Sequence, residues 1–290
     1  MNWTIAKQHE GLLVRKYLQQ EHKFSKRLIK HVIHGGGTIR VNGSEATAVC
    51  KLTAGDVLTV TFPEEKKGAM MTPEKIPLDI VYEDDAVLVI NKPPGRATIP
   101  SYIHASGTIA NGVLAHYEEQ GLPYTFHIVT RLDRNTSGIM LVAKHRWSHS
   151  MLSEAQKSGK IERAYDAVVQ GRLQPQKGTI NAPIGRKDGS IIERTVRNDG
   201  KNAITHYTVL TETAEHTRVH VRLETGRTHQ IRVHFSHIGH PLAGDDLYGG
   251  SISTISRQAL HCHHVSFEHP MTGERMTFTA DLPDDLKHIL

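Results

Sequence analysis

His127-Ile128-Val129-Thr130-Arg131-Leu132-Asp133-Arg134-Asn135-Thr136-Ser137-Gly138 sets one carboxylate between two arginines, in a polar turn that interrupts two apolar runs. Phe126 to Val129 reads as a buried strand end, and Ile139 to Ala143 as a central strand. Thr136-Ser137-Gly138 supplies the turn between them. Two readings are open from this segment alone. Asp133 is either a carboxylate kept ionised for chemistry, or a turn residue satisfied by local backbone and a surface ion pair.

Working outward, Glu224-Thr225-Gly226-Arg227-Thr228-His229-Gln230-Ile231-Arg232-Val233-His234-Phe235 is a second polar cluster. Val219, Val221 and Leu223 alternate as one face of a strand before it. The period then changes, because Ile231, Phe235 and Ile238 share a helical face that Gly239 ends. The spacing predicts a helix over 228–238 with Thr228 as its N-cap. Gly226 permits the strand-to-helix corner on which Arg227 sits, at the positive end of the helix. The helix dipole does not favour a cation there, so Arg227 is expected to face an anion such as Asp133 or a phosphate. A solvated surface arginine is the alternative.

A third piece runs from Lys160 to Gly171, where Ile161, Arg163, Tyr165, Ala167 and Val169 fall on one strand face. Tyr165 therefore suits either a core or a platform beneath a base. Further strands are expected at 78–82, 86–90, 206–210, 217–224 and 276–279, and helices at 107–120 and 148–158. Strands and helices do not alternate regularly, so the class is α+β, with a mixed, mostly antiparallel sheet and flanking helices. Neither GxGxxG after a strand nor GxxxxGK[ST] occurs, which argues against the common nucleotide-cofactor chemistries. His229, His234, His237 and His240 have spacings found in zinc sites, but HExxH is missing, His237-Ile238-Gly239-His240-Pro241 reads as a capped helix end, and a chain with 21 histidines holds chance clusters. The expectation is no metal and no cofactor.

The charge is uneven. Residues 1–62 hold nine Lys and Arg against four Asp and Glu, which is the whole formal excess of +5, and the remaining residues hold 26 of each. A basic module on a neutral body points to a polyanionic partner. In the module, Leu13, Val14, Tyr17 and Leu18 have helical spacing. Ser25 caps a second helix with Leu28, Ile29, Val32 and Ile33 on its apolar face, ending at Gly35-Gly36-Gly37. Lys23, Lys26, Arg27 and Lys30 crowd its start and polar side, and strands follow around Asn42-Gly43 and Ala54-Gly55-Asp56 turns. Residues 63–77, with Glu64-Glu65-Lys66-Lys67-Gly68 at their centre, read as a linker that lets the module reorient. At 290 residues the chain suits about two domains. No run approaches the roughly 20 apolar residues of a membrane span, and the N-terminus lacks the pattern of a secretory signal. The widely separated Cys50 and Cys262 fit a reducing compartment.

Two resemblances follow. The layout of residues 11–62 resembles the S4 RNA-binding domain, which presents a basic helical face to structured RNA. The whole of 11–280 resembles the RluA-type pseudouridine synthases, whose pattern around the catalytic aspartate is close to His-Arg-Leu-Asp-x-x-Thr-Ser-Gly-Leu-Leu. Here it stands as Thr130-Arg131-Leu132-Asp133-Arg134-Asn135-Thr136-Ser137-Gly138-Ile139-Met140. The resemblance implies that Asp133 is the catalytic carboxylate, Tyr165 the pocket tyrosine and Arg227 the arginine paired with Asp133. Arg131 then helps to hold the flipped nucleotide, and Arg134 is expected to contact the RNA beside it. Lys23, Lys26, Arg27 and Lys30 are expected to contact phosphates. The expected organisation is an S4-like domain over 1–62, a linker over 63–77 and a catalytic domain over 78–290. The protein is expected to be cytoplasmic and monomeric, with no membrane partner and structured, large-subunit ribosomal RNA as substrate. Two departures stand out: Thr130 replaces the usual His, and Ile99-Pro100 stands where His-Pro is common. A non-catalytic RNA-binding factor and a metal hydrolase built on His229, His234 and His240 are the alternatives.

Overall fold

A computed structural model describes residues 1–65, 68, 71–101 and 104–289. The N-terminal part is a small β-rich module. Its elements are β1 (Asn2–Thr4), α1 (Val14–Gln20), α2 (Lys26–His34), β2 (Thr38–Val41), β3 (Ser44–Glu45) and β4 (Val57–Thr61), and its sheet runs β1-β4-β2-β3. Val14, Leu18 and Val32 from the helices close on Leu58 and Val60 from β4. The expected cap is present: the Leu28 N–H donates to Ser25 Oγ at 3.0 Å, satisfying one of the donors that a helix start leaves free.

The segment after β4 departs from the free linker expected for 63–77. Glu65 is buried at 6% exposure, hydrogen-bonds to His127 and accepts the Arg146 N–H at 3.3 Å. Further on, Asn111 Nδ2 donates to Thr72 O at 2.7 Å, and the Glu74 N–H donates to Asn111 O. Trp147, from the body, is buried within the apolar cluster of the module, and its Nε1 donates to His22 O at 2.6 Å. These contacts oppose free reorientation, because a buried carboxylate and a buried indole lose their partners when the module swings away. Lys66 and Lys67, at the centre of the expected linker, lie outside the described residues.

The body continues with β5 (Ile80–Glu83), β6 (Val87–Lys92), α3 (Ile109–Glu119), β7 (His127–Ile128), β8 (Ser137–Ala143), α4 (Arg146–Lys157) and β9 (Glu162–Gln170). Then come β10 (Lys177–Asn181), β11 (Ile184–Arg186), β12 (Arg194–Val196), β13 (Ile204–Glu212) and β14 (His216–Leu223). The chain closes with α5 (Gln230–His237), β15 (Leu260–Glu268), β16 (Arg275–Thr279) and α6 (Asp284–Lys287). A ten-stranded sheet runs β10-β13-β14-β9-β15-β8-β6-β5, with β16 on β15 and β7 on β8. Among the described residues its pairings are antiparallel except for β15 with β8, so the sheet is mixed and mostly antiparallel, as expected.

The expected turn is displaced by two residues. The tight turn is closed by the Thr136 N–H donating to Asp133 O at 3.1 Å, and Ser137 and Gly138 already belong to β8. Gly138 is required by the approach of β15 instead. A Cβ there would stand 2.2 Å from Cys262 O at φ +112°, so only glycine lets β8 lie against β15. Every residue of β8 is buried, and each Leu, Ile or Met so enclosed stabilises the fold by roughly 1.5–3 kcal/mol. The outcome is a rigid sheet centre with the Asp133 turn at its edge.

Candidate active site

Asp133 leaves the 129–136 turn toward a cavity of about 540 Å³ that Arg131, Leu132, Arg163, Tyr165, Arg227, His229 and Arg232 also line. Its side chain is 23% exposed. The turn is fixed from behind. Buried Thr130 accepts the Leu141 N–H on its Oγ1 at 2.8 Å, and Thr98 Oγ1 donates to Leu132 O at 2.7 Å. Thr130 thus serves to tie the turn to β8.

Lys92 is fully buried at the end of β6, where its Nζ donates to Pro93 O, Arg96 O and Arg134 O at 2.8, 2.9 and 2.9 Å. Burial pushes its ammonium down to about 7, and the Asp133 charge opposes this. Three carbonyls match the three donors of the charged form, so Lys92 holds the 93–96 loop against the Asp133 turn.

The ion pair to Asp133 comes from Arg232, not Arg227. Arg232 Nη1 donates to Asp133 Oδ2 at 3.2 Å. Its Nε and Nη2 donate to the two carboxylate oxygens of Asp245, each at 2.7 Å, and Asp245 has no exposed side-chain surface. The Tyr248 ring lies 4.9 Å beneath the guanidinium, a cation–π contact. Burial alone would weaken the arginine's hold on its proton, but the Asp245 and Asp133 charges reverse this and raise its pKa. Arg232 is thereby a fixed positive charge with its geometry set by Asp245.

The expected Arg227 pairing fails because the helix begins later than expected. α5 starts at Gln230, its N-cap is His229 in a left-handed conformation (φ 58°), and Thr228 is not the cap. Gln230 organises the corner: Oε1 accepts from Thr225 Oγ1 and from the Arg227 N–H, and Nε2 donates to Ile204 O. Arg227 is left outside the helix, exposed, with Nε donating to Asn202 O at 2.9 Å. It still lines the cavity.

His229 Nε2 stands 3.8 Å from Asp133 Oδ2, and its Nδ1 lies 2.7 Å from Tyr248 Oη. Tyr248 Oη also accepts the Arg194 N–H; if its own proton goes to Nδ1, the imidazole proton sits on Nε2, facing Asp133. Burial holds His229 below the usual imidazole range, with Asp133 opposing.

Tyr165 is 5% exposed and faces the cavity from β9. Burial pushes its hydroxyl well above the usual phenol range, so it stays protonated at neutral pH. Arg131 is exposed at the cavity wall. Arg134 points elsewhere: its Nε donates to Gly95 O at 3.0 Å. Lys26, Arg27 and Lys30 are exposed on α2, while Lys23 precedes that helix and donates to Gln20 O at 3.1 Å. The histidines of the hydrolase alternative do not converge. Both ring nitrogens of His234 are engaged, by Thr205 Oγ1 and Ala182 O, and His240 Nδ1 meets Gln170 O.

One carboxylate, salt-bridged at the wall of a cavity that carries several arginines and a buried tyrosine, suits an anionic substrate. The profile of the family described as RNA pseudouridylate synthase matches residues 86–237, and the chain belongs to that family. It is therefore an isomerase that acts on RNA. The chain is 54% identical to the uncharacterized RNA pseudouridine synthase YjbO of Bacillus subtilis, over 92% of this chain and 94% of that one. It is 42% identical to ribosomal large subunit pseudouridine synthase D of Buchnera aphidicola, over 83% of this chain and 81% of that one. Among solved structures it is similar to human RNA pseudouridylate synthase domain containing 1, with a TM-score of 0.58 and 25% identity over 75% of this chain and 86% of that one. Among the described residues, no helix is long and apolar enough to cross a membrane.

Proposed function

We propose that the chain converts uridine to pseudouridine in large-subunit ribosomal RNA, with Asp133 as its catalytic carboxylate. The observation that carries this reading is the Asp133–Arg232–Asp245 chain of charges at the cavity wall. The similarity to a relative named for the ribosomal large subunit supports the choice of RNA.

The reaction breaks the N1–C1′ bond, rotates the detached uracil and rebonds it through C5. No electrons are exchanged and no group leaves the RNA, so one carboxylate and an enclosing pocket suffice. Asp133 serves as the nucleophile at C1′ or C6, or assists loss of the C2′ proton. Arg232 keeps it charged in a partly desolvated site, since a fixed opposite charge offsets the cost of burial. Arg131 at the wall steadies the flipped nucleotide, and the cavity keeps the detached base from escaping. Incubation with large-subunit ribosomal RNA transcripts in EDTA, followed by chemical mapping of pseudouridine, tests reaction, target and metal independence together. No modified uridine in any such transcript would refute the target, and product only with added metal would refute the mechanism.

Tyr165 is the stacking platform in this reading. Tyr165→Phe keeps the ring and should stay within about tenfold of wild type, whereas Tyr165→Ala loses stacking worth roughly 1–3 kcal/mol. The two variants are compared by KM and kcat on one transcript. Full activity of both removes Tyr165 from the pocket.

The N-terminal module over 1–62 is the RNA-docking part, of S4 type, joined through 63–77 to a catalytic domain over 78–290. Lys26, Arg27 and Lys30 on α2 meet phosphates, with Lys23 at its entrance. Reversing Lys26 and Arg27 to Glu should weaken RNA binding and flatten its salt dependence by about two phosphate contacts, read by binding titrations at several salt concentrations. An unchanged slope places the contacts elsewhere. Two free cysteines, one of them buried, fit work in the cytoplasm, and the chain acts as a monomer.

A further inference from the structure

Arg163 is a cavity residue without an assigned task. It lies on β9 two positions from Tyr165 and so on the same strand face, and it lines the cavity with Asp133. Its guanidinium is pressed against the corner between β14 and α5. A Cβ on Gly226 would stand 3.1 and 3.2 Å from its two Nη atoms, so a side chain at 226 would crowd the guanidinium and shift it by a few tenths of an ångström. Arg163 is half-buried, and its Nε is enclosed without a hydrogen-bond partner. Among the described residues no carboxylate pairs with it, whereas Arg218, Arg232 and Arg257 pair with Asp166, Asp245 and Asp285.

An enclosed donor without a partner is costly to keep, and such groups in native proteins await an explanation. The neighbouring carboxylates are committed, because Asp133 faces Arg232 and Glu224 meets His206 at 2.7 Å. Next to Gly226 in the chain, Arg227 also lines the cavity and has its Nε anchored on Asn202 O, which orients the guanidinium and leaves its Nη groups to a ligand. We propose that Arg163 and Arg227, which both line the cavity at the Gly226 corner, form a subsite for one phosphodiester of the RNA next to the target uridine. This rests on the uridine-isomerase reading. A neutral uracil offers only carbonyl acceptors, but each nucleotide brings one phosphodiester charge with two free oxygens that match a guanidinium fork. The residue expected to hold the catalytic carboxylate holds the backbone of the substrate instead.

Arg163→Met keeps the length of the side chain and, among the described residues, removes no hydrogen bond, so the fold should persist, as checked by an unchanged Tm. On a large-subunit ribosomal RNA transcript its KM should rise about tenfold, as expected for loss of one charged contact, while kcat stays within about threefold. The slope of log affinity against log salt should become shallower by about one contact. Arg163→Lys restores the charge without the fork and should recover KM in part. Gly226→Ala, which crowds the guanidinium, should raise KM with Arg163 present and have little effect in Arg163→Met. Unchanged KM and salt slope in Arg163→Met overturn the subsite. A fall in kcat at constant KM also overturns it, since that places Arg163 at the reacting base. Wild-type protein that binds the transcript but makes no pseudouridine refutes the uridine-isomerase reading instead, and the salt slopes still decide whether Arg163 meets a phosphate.

Discussion

Asp133→Asn is expected to abolish pseudouridine formation, by about 1,000-fold or more if the carboxylate is the covalent or proton-transferring group, while RNA affinity stays within a few-fold. The amide keeps the shape of the side chain but carries neither charge nor nucleophilic oxygen. The fold should tolerate it, because Arg232 retains both hydrogen bonds to Asp245 and the turn is held by Thr130, Thr98 and Lys92. Single-turnover mapping of the modified uridine, alongside a binding titration on the same transcript, separates the two quantities. Turnover near the wild-type rate would remove Asp133 from the chemistry.

Arg232→Ala is expected to have the second largest effect, and it acts twice. Asp133 loses its fixed counter-charge, and a carboxylate in a partly desolvated wall then tends to take up a proton, so turnover should fall about 100-fold or more. Asp245, which has no exposed side-chain surface, is left as an uncompensated buried charge, costing about 3–5 kcal/mol of stability. Arg232→Lys should recover the second effect better than the first, since an ammonium cannot span Asp133 and grip Asp245 with two parallel bonds. Arg227→Ala is the control: it should weaken RNA binding with little change in kcat. Thermal unfolding and kcat measured on all three variants discriminate the two arginines. If Arg227→Ala loses kcat as severely as Arg232→Ala, the assignment of Arg232 as the partner of Asp133 fails.

The contrast between these arginines marks where the sequence stopped being informative. Arg227 and Arg232 lie in one cluster, and residue type alone does not rank them. A helix start at Thr228 puts Arg227 on the corner beside it, and the family pattern points to the same arginine. Gln230 shifts that start by hydrogen bonds to Thr225, to the Arg227 N–H and to Ile204 O, a residue on a different strand. Asp245 is equally illegible as a partner in the chain, because what distinguishes it is its burial beside Arg232. Lys92 and Arg163 also read as ordinary cations until the fold encloses one among three carbonyls and sets the other against Gly226.

Local pattern, by contrast, determined a good deal on its own. Alternating and continuous apolar runs fixed the strands on either side of Asp133 and the face of β9 that carries Tyr165, because strand periodicity is a property of neighbouring residues. The ordered motifs around Asp133, Tyr165 and Gly226 sufficed for the family, and the irregular order of strands and helices for the α+β class. The cap at Ser25 and the glycine ending α2 were legible for the same local reason. What only the tertiary structure decided are the relations between distant segments: Arg232 rather than Arg227 on Asp133, Glu65 and Trp147 joining the module to the body, and the close approach of Gly138 to Cys262. Each depends on which charge or side chain is enclosed with which, and enclosure is set by the packing of the whole chain.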